Sequence, residues 1–429
     1  MNLRSLFQNR RRALIVIAAA LLALLIGLAL DLHFYGLAWH LFYGVTGEEA
    51  PFKQIYGSVS YLGNVTRREP VTASDAPIPV DLKPANLLGV NTFLEDEPEV
   101  AKRERQMQMI ADAGFGWIRQ QFRWDDIEIS GRGDFTDRRN GSAISAWEKY
   151  DNIVSLAEKY HVGIIVRLNS PPAWSQPPGS NPGFTPPANY DDFAAYAGTV
   201  AARYKGRVRF YQVWNEPNIY PEWGELAINP EAYTDLLCRA SRAIKKADGS
   251  AIVIAGALAP TIDLGARNLS DTIFLQRMYD AGAGRCFDIL SAQGYGLFSG
   301  PTDRRMRITT INYSHVLWLR DLMIANGDAA RPIWISEMGW NPVPSDGDIA
   351  NREAYGQVTD DQAAQDAVEA FDRAHKEWPF VGVISYWYFK RPDDHEKNQS
   401  FYYFRLVDPD FTPRPAYNAI KAYAQGASH

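Results

Sequence analysis

Apolar and polar positions along the chain fall into three regimes. Residues 13–30, "ALIVIAAALLALLIGLAL", are uniformly apolar and uncharged; as a helix they extend about 27 Å, close to a hydrocarbon core of roughly 30 Å. A polar, proline-containing stretch at about 45–84 follows and reads as a connector. From residue 85 onward, short apolar, β-branched runs alternate with amphipathic stretches of helical period. The runs predict eight strands, at 85–93, 116–124, 162–169, 208–216, 251–259, 287–295, 331–339 and 381–389. Between them, 146–161, 231–249 and 360–378 repeat apolar residues every three to four positions, and 414–426 predicts a closing helix. Thr359 with Gln362 forms a capping box ahead of the third of these helices.

Strands apolar on both faces and alternating strictly with helices predict a parallel sheet covered by helices. Eight units in about 340 residues fit a single (β/α)8 barrel, a TIM barrel of class α/β, preceded by an N-terminal transmembrane helix. A doubly wound open sheet is the alternative; the missing Gly-rich turn after the first strand argues against it. The organisation is then 1–44 for basic tip, anchor and aromatic interface segment, 45–84 for the connector and 85–429 for the barrel.

Arg4, Arg10, Arg11 and Arg12 precede the apolar run and Asp31 follows it. That asymmetry keeps the N-terminus cytoplasmic and places the barrel outside, at the cell surface or in the periplasm. The aromatic segment 33–44 suits the membrane interface. A cleaved signal peptide is the rival reading, since Gly27-Leu28-Ala29 offers a small-x-small site; the protein would then be secreted.

Composition narrows the function. The chain of 429 residues is 46% apolar and 22% charged with a net charge of -6, so it builds a core and carries no basic footprint for nucleic acid. Its 12 Trp and 22 Tyr exceed ordinary packing needs and suit flat contacts to sugars. The seven His (33, 40, 161, 315, 375, 395 and 429) fall in the anchor region, helices, one late loop and the tail, so no metal site is expected. No phosphate-binding Gly-rich loop is present, and neither a nucleotide nor another cofactor is expected. Cys238 and Cys286 are the only cysteines; an extracytoplasmic site permits a disulfide, but their separation in sequence favours two buried free thiols.

In a barrel of this kind the reacting groups stand at the C-terminal ends of the strands. The fourth strand ends in Asn215-Glu216 and the seventh delivers Glu337, so closure sets two carboxyl groups across one mouth. Two facing carboxyl groups among aromatic rings suit glycosidic bond cleavage, one as proton donor and one to meet the oxocarbenium-like carbon.

"VWNEPN" and "ISEMGW" at these strand ends, with the tail "FRLVDPDFTPRPAYNAIKAY", resemble the retaining glycoside hydrolases of clan A, particularly families 5 and 39. The resemblance covers about 85–426. It implies Glu216 as acid/base and Glu337 as nucleophile, with the carboxyl groups roughly 5–5.5 Å apart rather than the roughly 6.5–9.5 Å of inverting enzymes. It also implies that Arg119 sits near the nucleophile, that Asn215 bonds the sugar 2-hydroxyl, that Tyr295 touches the nucleophile, and that Trp387 floors the reacting sugar. Gln293 departs from the pattern, since many members have His there. On this reading burial against Trp214 and the facing Glu337 raise the Glu216 pKa, while Arg119 keeps Glu337 ionised.

Further aromatics in loops, Trp124, Trp174, Tyr220, Trp223 and Trp340, are candidates to stack sugars, although each is as readily a packing residue. The proline-rich loop 170–188 and the loop 218–229 are expected to wall a preshaped cleft. The expected partners are a poly- or oligosaccharide and the membrane. A membrane-tethered, non-catalytic glycan-binding barrel is the alternative function.

Overall fold

The computed structural model describes residues 3–46, 51, 54 and 69–426. It divides into two units, 1–69 and 70–429; part of the expected connector, 47–50, 52–53 and 55–68, lies outside the described residues.

In the first unit a helix runs Leu3–His33, longer at both ends than the apolar run alone predicts. Its stretch Arg12–His33 has a mean hydropathy of 3.0 and is the one described helix long and apolar enough to cross a membrane, a test that a signal sequence also passes. Leu14, Ile17 and Leu24 are exposed on it. A second helix, Leu37–Thr46, carries the aromatic segment, with Trp39 edge-on to Tyr35.

In the second unit eight parallel strands form the sheet: Leu88–Thr92, Trp117–Arg123, Gly163–Asn169, Phe210–Asn215, Ile252–Ala257, Leu290–Gln293, Ile333–Met338 and Val381–Tyr386. Each pairs with its neighbours in chain order, and the eighth pairs with the first. Parallel bridges Ile254–Ile289 and Leu258–Ala292 join the fifth strand to the sixth and close the ring. All eight expected strands are present, trimmed at their ends where the pairing stops. Helices follow every strand, among them Glu148–Lys159, Pro230–Ala247, Asp360–Glu377 and Pro415–Ala424. Thr359 Oγ1 accepts from Gln362 N at 3.1 Å, but the Gln362 amide turns to Asp366 instead of completing the capping box.

The lumen changes character along its axis. At the N-terminal end Ile165, Phe210, Ile252, Ile289, Trp334 and Val383 form an apolar plug with Leu82. Trp117 stands edge-on to Trp334 at 5.5 Å, and Phe210 lies 4.9 Å from Trp334. These rings fit because Gly163 and Gly382 face them: a Cβ at Gly163 would meet the Trp117 ring at 2.6 Å, and one at Gly382 the Trp334 indole nitrogen at 2.1 Å. Residues 70–84 differ from the connector expected there. Leu82 enters the plug, its carbonyl accepting from Trp334 Nε1 at 2.9 Å, and Val71 N bonds Asp321 at 2.8 Å.

The cysteines also differ from expectation. Cys238, on the helix Pro230–Ala247, and Cys286, just before the sixth strand, form a disulfide with Cα atoms 4.8 Å apart. Forty-eight residues separate them, but they belong to consecutive strand-helix units, which the barrel sets side by side.

Candidate active site

Two residues up each strand, the inward positions turn polar: Ile165 gives way to Arg167, Trp117 to Arg119, Phe210 to Gln212 and Trp334 to Ser336. Burying such groups is unfavourable unless each finds a partner. Arg119 supplies most of the partners. Its Nε donates to Gln212 Oε1 (2.8 Å), its Nη1 to Asn91 Oδ1 and Glu337 Oε1 (both 2.8 Å), and its Nη2 to Asn215 Oδ1 (2.6 Å). Burial pulls the guanidinium down to about 10, still leaving it cationic near neutrality. One planar fork thus ties the first, second, fourth and seventh strands together beneath the mouth.

Above this layer a cavity of about 670 Å³ opens at the C-terminal end of the barrel, lined by Asn215, Glu216, Tyr295, Glu337 and Trp387 together with loop residues. The fourth strand reaches it by an unusual backbone: Trp214 and Glu216 have φ of 72° and 40°. Non-glycine residues held there cost of order 1–3 kcal/mol each, and such strain concentrates at functional sites. The consequence is that the consecutive residues Asn215 and Glu216 both face the cavity, where a regular strand would point them to opposite sides.

The two carboxyl groups have different surroundings. Both oxygens of Glu337 accept from strong donors, Arg119 Nη1 at 2.8 Å and Tyr295 OH at 2.8 Å. Burial lifts the Tyr295 hydroxyl well above its usual range, so it stays a donor. Glu216 has only a neutral donor, Gln293 Nε2, at 3.0 Å from Oε1. Burial first, then the charges of Glu337 and Glu222, push Glu216 up to about 8. Trp214 takes no part in this. Its indole packs against Phe193 and Trp223 and donates to the carbonyl of Glu222 at 2.8 Å.

The remaining aromatics divide. Trp387 lies in the cavity wall beside Phe93. Trp124, Trp174 and Trp340 are not brought to it. Trp124 is fully buried and stacked on Tyr196; Trp174 packs edge-on to Trp124 and donates to Glu128 O; Trp340 is buried and donates to Ser299 O. Trp223 is buried next to Tyr233, and exposed Tyr220 carries the Arg267 guanidinium over its ring. These rings fix the loops that shape the mouth.

Several wall residues escaped the sequence reading: Glu95, Arg167, Asn169, Glu222 and Tyr355. Alternation along "VRLN" could have found Arg167 and Asn169, two and four positions beyond the inward Ile165. The two expected loops do contribute walls, through Phe184 and Glu222. Among the described residues no group of His, Cys, Asp and Glu is arranged to hold a metal ion.

No protein-family profile and no curated protein sequence matches the chain. Solved structures do. One is a family 39 glycoside hydrolase from Bacteroides cellulosilyticus (TM-score 0.58, 19% identity, covering 81% of this chain and 64% of that one). Another is a GH39 β-xylosidase from Caulobacter crescentus (TM-score 0.55, 16% identity, 83% and 72%). A third is GH5_18 from Streptomyces cattleya in complex with GlcNAc (TM-score 0.56, 18% identity, 80% and 80%). The barrel shares its fold with clan A glycoside hydrolases. This chain spans just under two thirds of the length of the first of them. At these identities the likeness is one of fold, and the chemistry rests on the side chains in the cavity.

Proposed function

We propose that this chain is a retaining glycoside hydrolase that cleaves an O-glycosidic bond of a poly- or oligosaccharide. The observation that carries the reading is the division of labour between two carboxyl groups in one cavity: Glu337 with two strong donors, Glu216 with one amide and a pKa pushed up to about 8.

In the first step a Glu337 oxygen attacks the anomeric carbon as the bond to the leaving oxygen breaks, and that oxygen takes the Glu216 proton. In the second, water attacks the same carbon, Glu216 takes its proton back, and the bond to Glu337 breaks. A general acid must hold its proton at working pH, and a value near 8 keeps Glu216 protonated at neutrality. Asn215, its Oδ1 fixed by Arg119 and its NH2 donating to the Glu222 carboxyl, lines the cavity beside Glu216 to meet the sugar hydroxyls, with Trp387 in the wall.

The N-terminal helix is read as an uncleaved anchor, with the barrel on the extracytoplasmic side. The disulfide supports that compartment, since the cytosol keeps thiols reduced.

The test is hydrolysis of aryl β-glycosides and polysaccharides by the unmodified protein, Glu216→Gln and Glu337→Gln, with NMR of the first-formed anomer and mass spectrometry after a 2-fluoro glycoside. Retained configuration and a glycosyl adduct on the Glu337 peptide are expected. An inverted product, or turnover that survives Glu337→Gln, overturns the mechanism. Binding without turnover of any glycan makes the barrel a binding protein instead.

A further inference from the structure

The charged residues of the cavity wall do not balance. Arg123 is matched by Asp125 through two bonds of 3.0 and 2.9 Å, Arg391 by Glu396 at 2.7 Å, and Glu337 by Arg119 from below at 2.8 Å. Set these aside, and the wall holds Arg167 against Glu95, Asp96, Glu216 and Glu222. Among the described residues, none of those four acids forms an ion pair. With Glu216 carrying its catalytic proton, an acidic excess remains on the side formed by the first four strands and their loops.

An independent observation on that wall points the same way. Asn169, only 7% exposed, lines the cavity with its Oδ1 accepting from nothing. A buried acceptor without a donor is unfavourable, and a ligand that brings N–H groups relieves it. Arg167 is the counterweight, since its Nε also lacks a partner. It nevertheless stands between Glu95 and Glu222, whose fields both reach it, and its Nη2 is held by Gln121. It offsets the acids and leaves little attraction for an incoming anion.

We propose that this wall recognises a sugar bearing a free amino group, a hexosamine without its acetyl, whose ammonium is held by Glu222 with Glu95 and Asn169. An ammonium has three donors and no acceptor, the complement of a wall where Glu95 accepts from the neutral Gln120 amide, Glu222 from the neutral Asn215 amide and Asn169 Oδ1 from nothing. Glu222 is placed to read it. Its backbone is fixed by Trp214 Nε1, and its carboxyl is hydrogen-bonded to Asn215, which lines the same cavity beside Glu216. Burial pushes both Glu222 and Glu95 up to about 7, as expected of acids awaiting a cation.

The inference names the substrate class of the proposed hydrolase and so rests on that reading, but its test reads binding alone. Full-length Glu216→Gln, whose amide stands in for the protonated acid, is titrated calorimetrically with β-1,4-linked tetramers of glucosamine, N-acetylglucosamine, glucose and glucuronate. The glucosamine tetramer is expected to bind at least about tenfold more tightly than the other three, as a charge-assisted contact in a desolvated pocket allows. Adding Glu222→Gln should erase that preference, bringing the glucosamine tetramer down to the affinity of the neutral tetramers, because Gln keeps the shape and loses only the charge. Equal binding of the tetramers, preference for glucuronate, no binding of glucosamine, or a uniform loss on Glu222→Gln overturns the proposal. If the preference holds while the unmodified protein hydrolyses no glycan, only the hydrolase reading fails; if neutral glycans are cleaved with no preference for the amine, only this one does.

Discussion

The two ends of the barrel lumen are built from the same eight strands and solve opposite problems. At the N-terminal end Trp117, Phe210 and Trp334 meet over glycines and exclude every polar side chain from the plug. Two residues further on, the same strands bury Arg119, Asn91, Gln212 and Ser336 in a network that joins one guanidinium to the amide oxygens of Asn91 and Gln212 and satisfies their amide N–H groups from backbone carbonyls. Apolar packing is tolerant of position, whereas a buried polar network is satisfied only in one arrangement. The plug is therefore tolerant of position, and positional precision resides in the layer above it.

The sharpest test of that contrast is Glu337→Gln, which changes one charged group at the mouth and leaves the shape alone. Turnover should fall by about 10⁴-fold or more, as expected when a nucleophile is lost. The melting temperature should stay within a few degrees of the unmodified protein, and a collapse of stability instead would show that the mouth is also structural. The converse at the plug is Trp334→Ala. It removes a large ring with a hydrogen bond to Leu82 O and should cost about 3–5 kcal/mol by denaturant titration. Turnover per folded molecule should be unchanged within roughly twofold, since nothing in the plug reaches the cavity. A proportional loss of turnover would mean the two ends are coupled.

These contrasts were partly legible in the sequence. The eight strands were, because each is an apolar run bounded by polar turns, and so were Glu216 and Glu337, because a barrel strand's end is a position that spacing can locate. The plug was not fully so. Leu82 sits in an irregular segment with no period, and only the fold carries it under the barrel. The disulfide was hidden for a related reason: helix and strand periodicities describe one element at a time, and the Cys238–Cys286 contact joins two. Composition also misled over the aromatics. An abundance of Trp says nothing of whether a ring faces a cavity, and Trp124 and Trp340 face the interior.

The boundary between the two ends is Arg119, and Arg119→Lys asks whether it is the charge or the fork that matters. Lysine keeps the cation but cannot reach Gln212, Asn91, Glu337 and Asn215 at once. A loss on the order of 2–3 kcal/mol of stability is expected, with a fall in turnover of about a hundredfold as Asn215 and Glu337 lose their common anchor. If lysine preserves turnover, electrostatic neutralisation of Glu337 is what the position supplies and the shared fork is dispensable.

The smallest effect is also the one whose sign is least intuitive. Glu216 is held at about 8 in the folded protein against 4.5 for the free side chain, so the native state binds its proton more tightly than the unfolded chain does. Its contribution to stability is fully present below pH 4.5 and is lost as pH rises through about 8. Glu216→Gln never ionises and escapes that loss. The variant should be indistinguishable from the unmodified protein at pH 4.5 and more stable at pH 8.5, by on the order of 1–2 kcal/mol once solvent screening through the open mouth is allowed for. Melting curves at the two values decide it, and an equal shift at both, or a loss at pH 8.5, would remove the case for a buried acid kept protonated. The same titration governs chemistry, because turnover of a substrate with a poor leaving group needs that proton and should decline above about pH 8. A variant that grows more stable under the conditions where the parent loses activity would locate the trade-off in Glu216, whose surroundings oppose its charge.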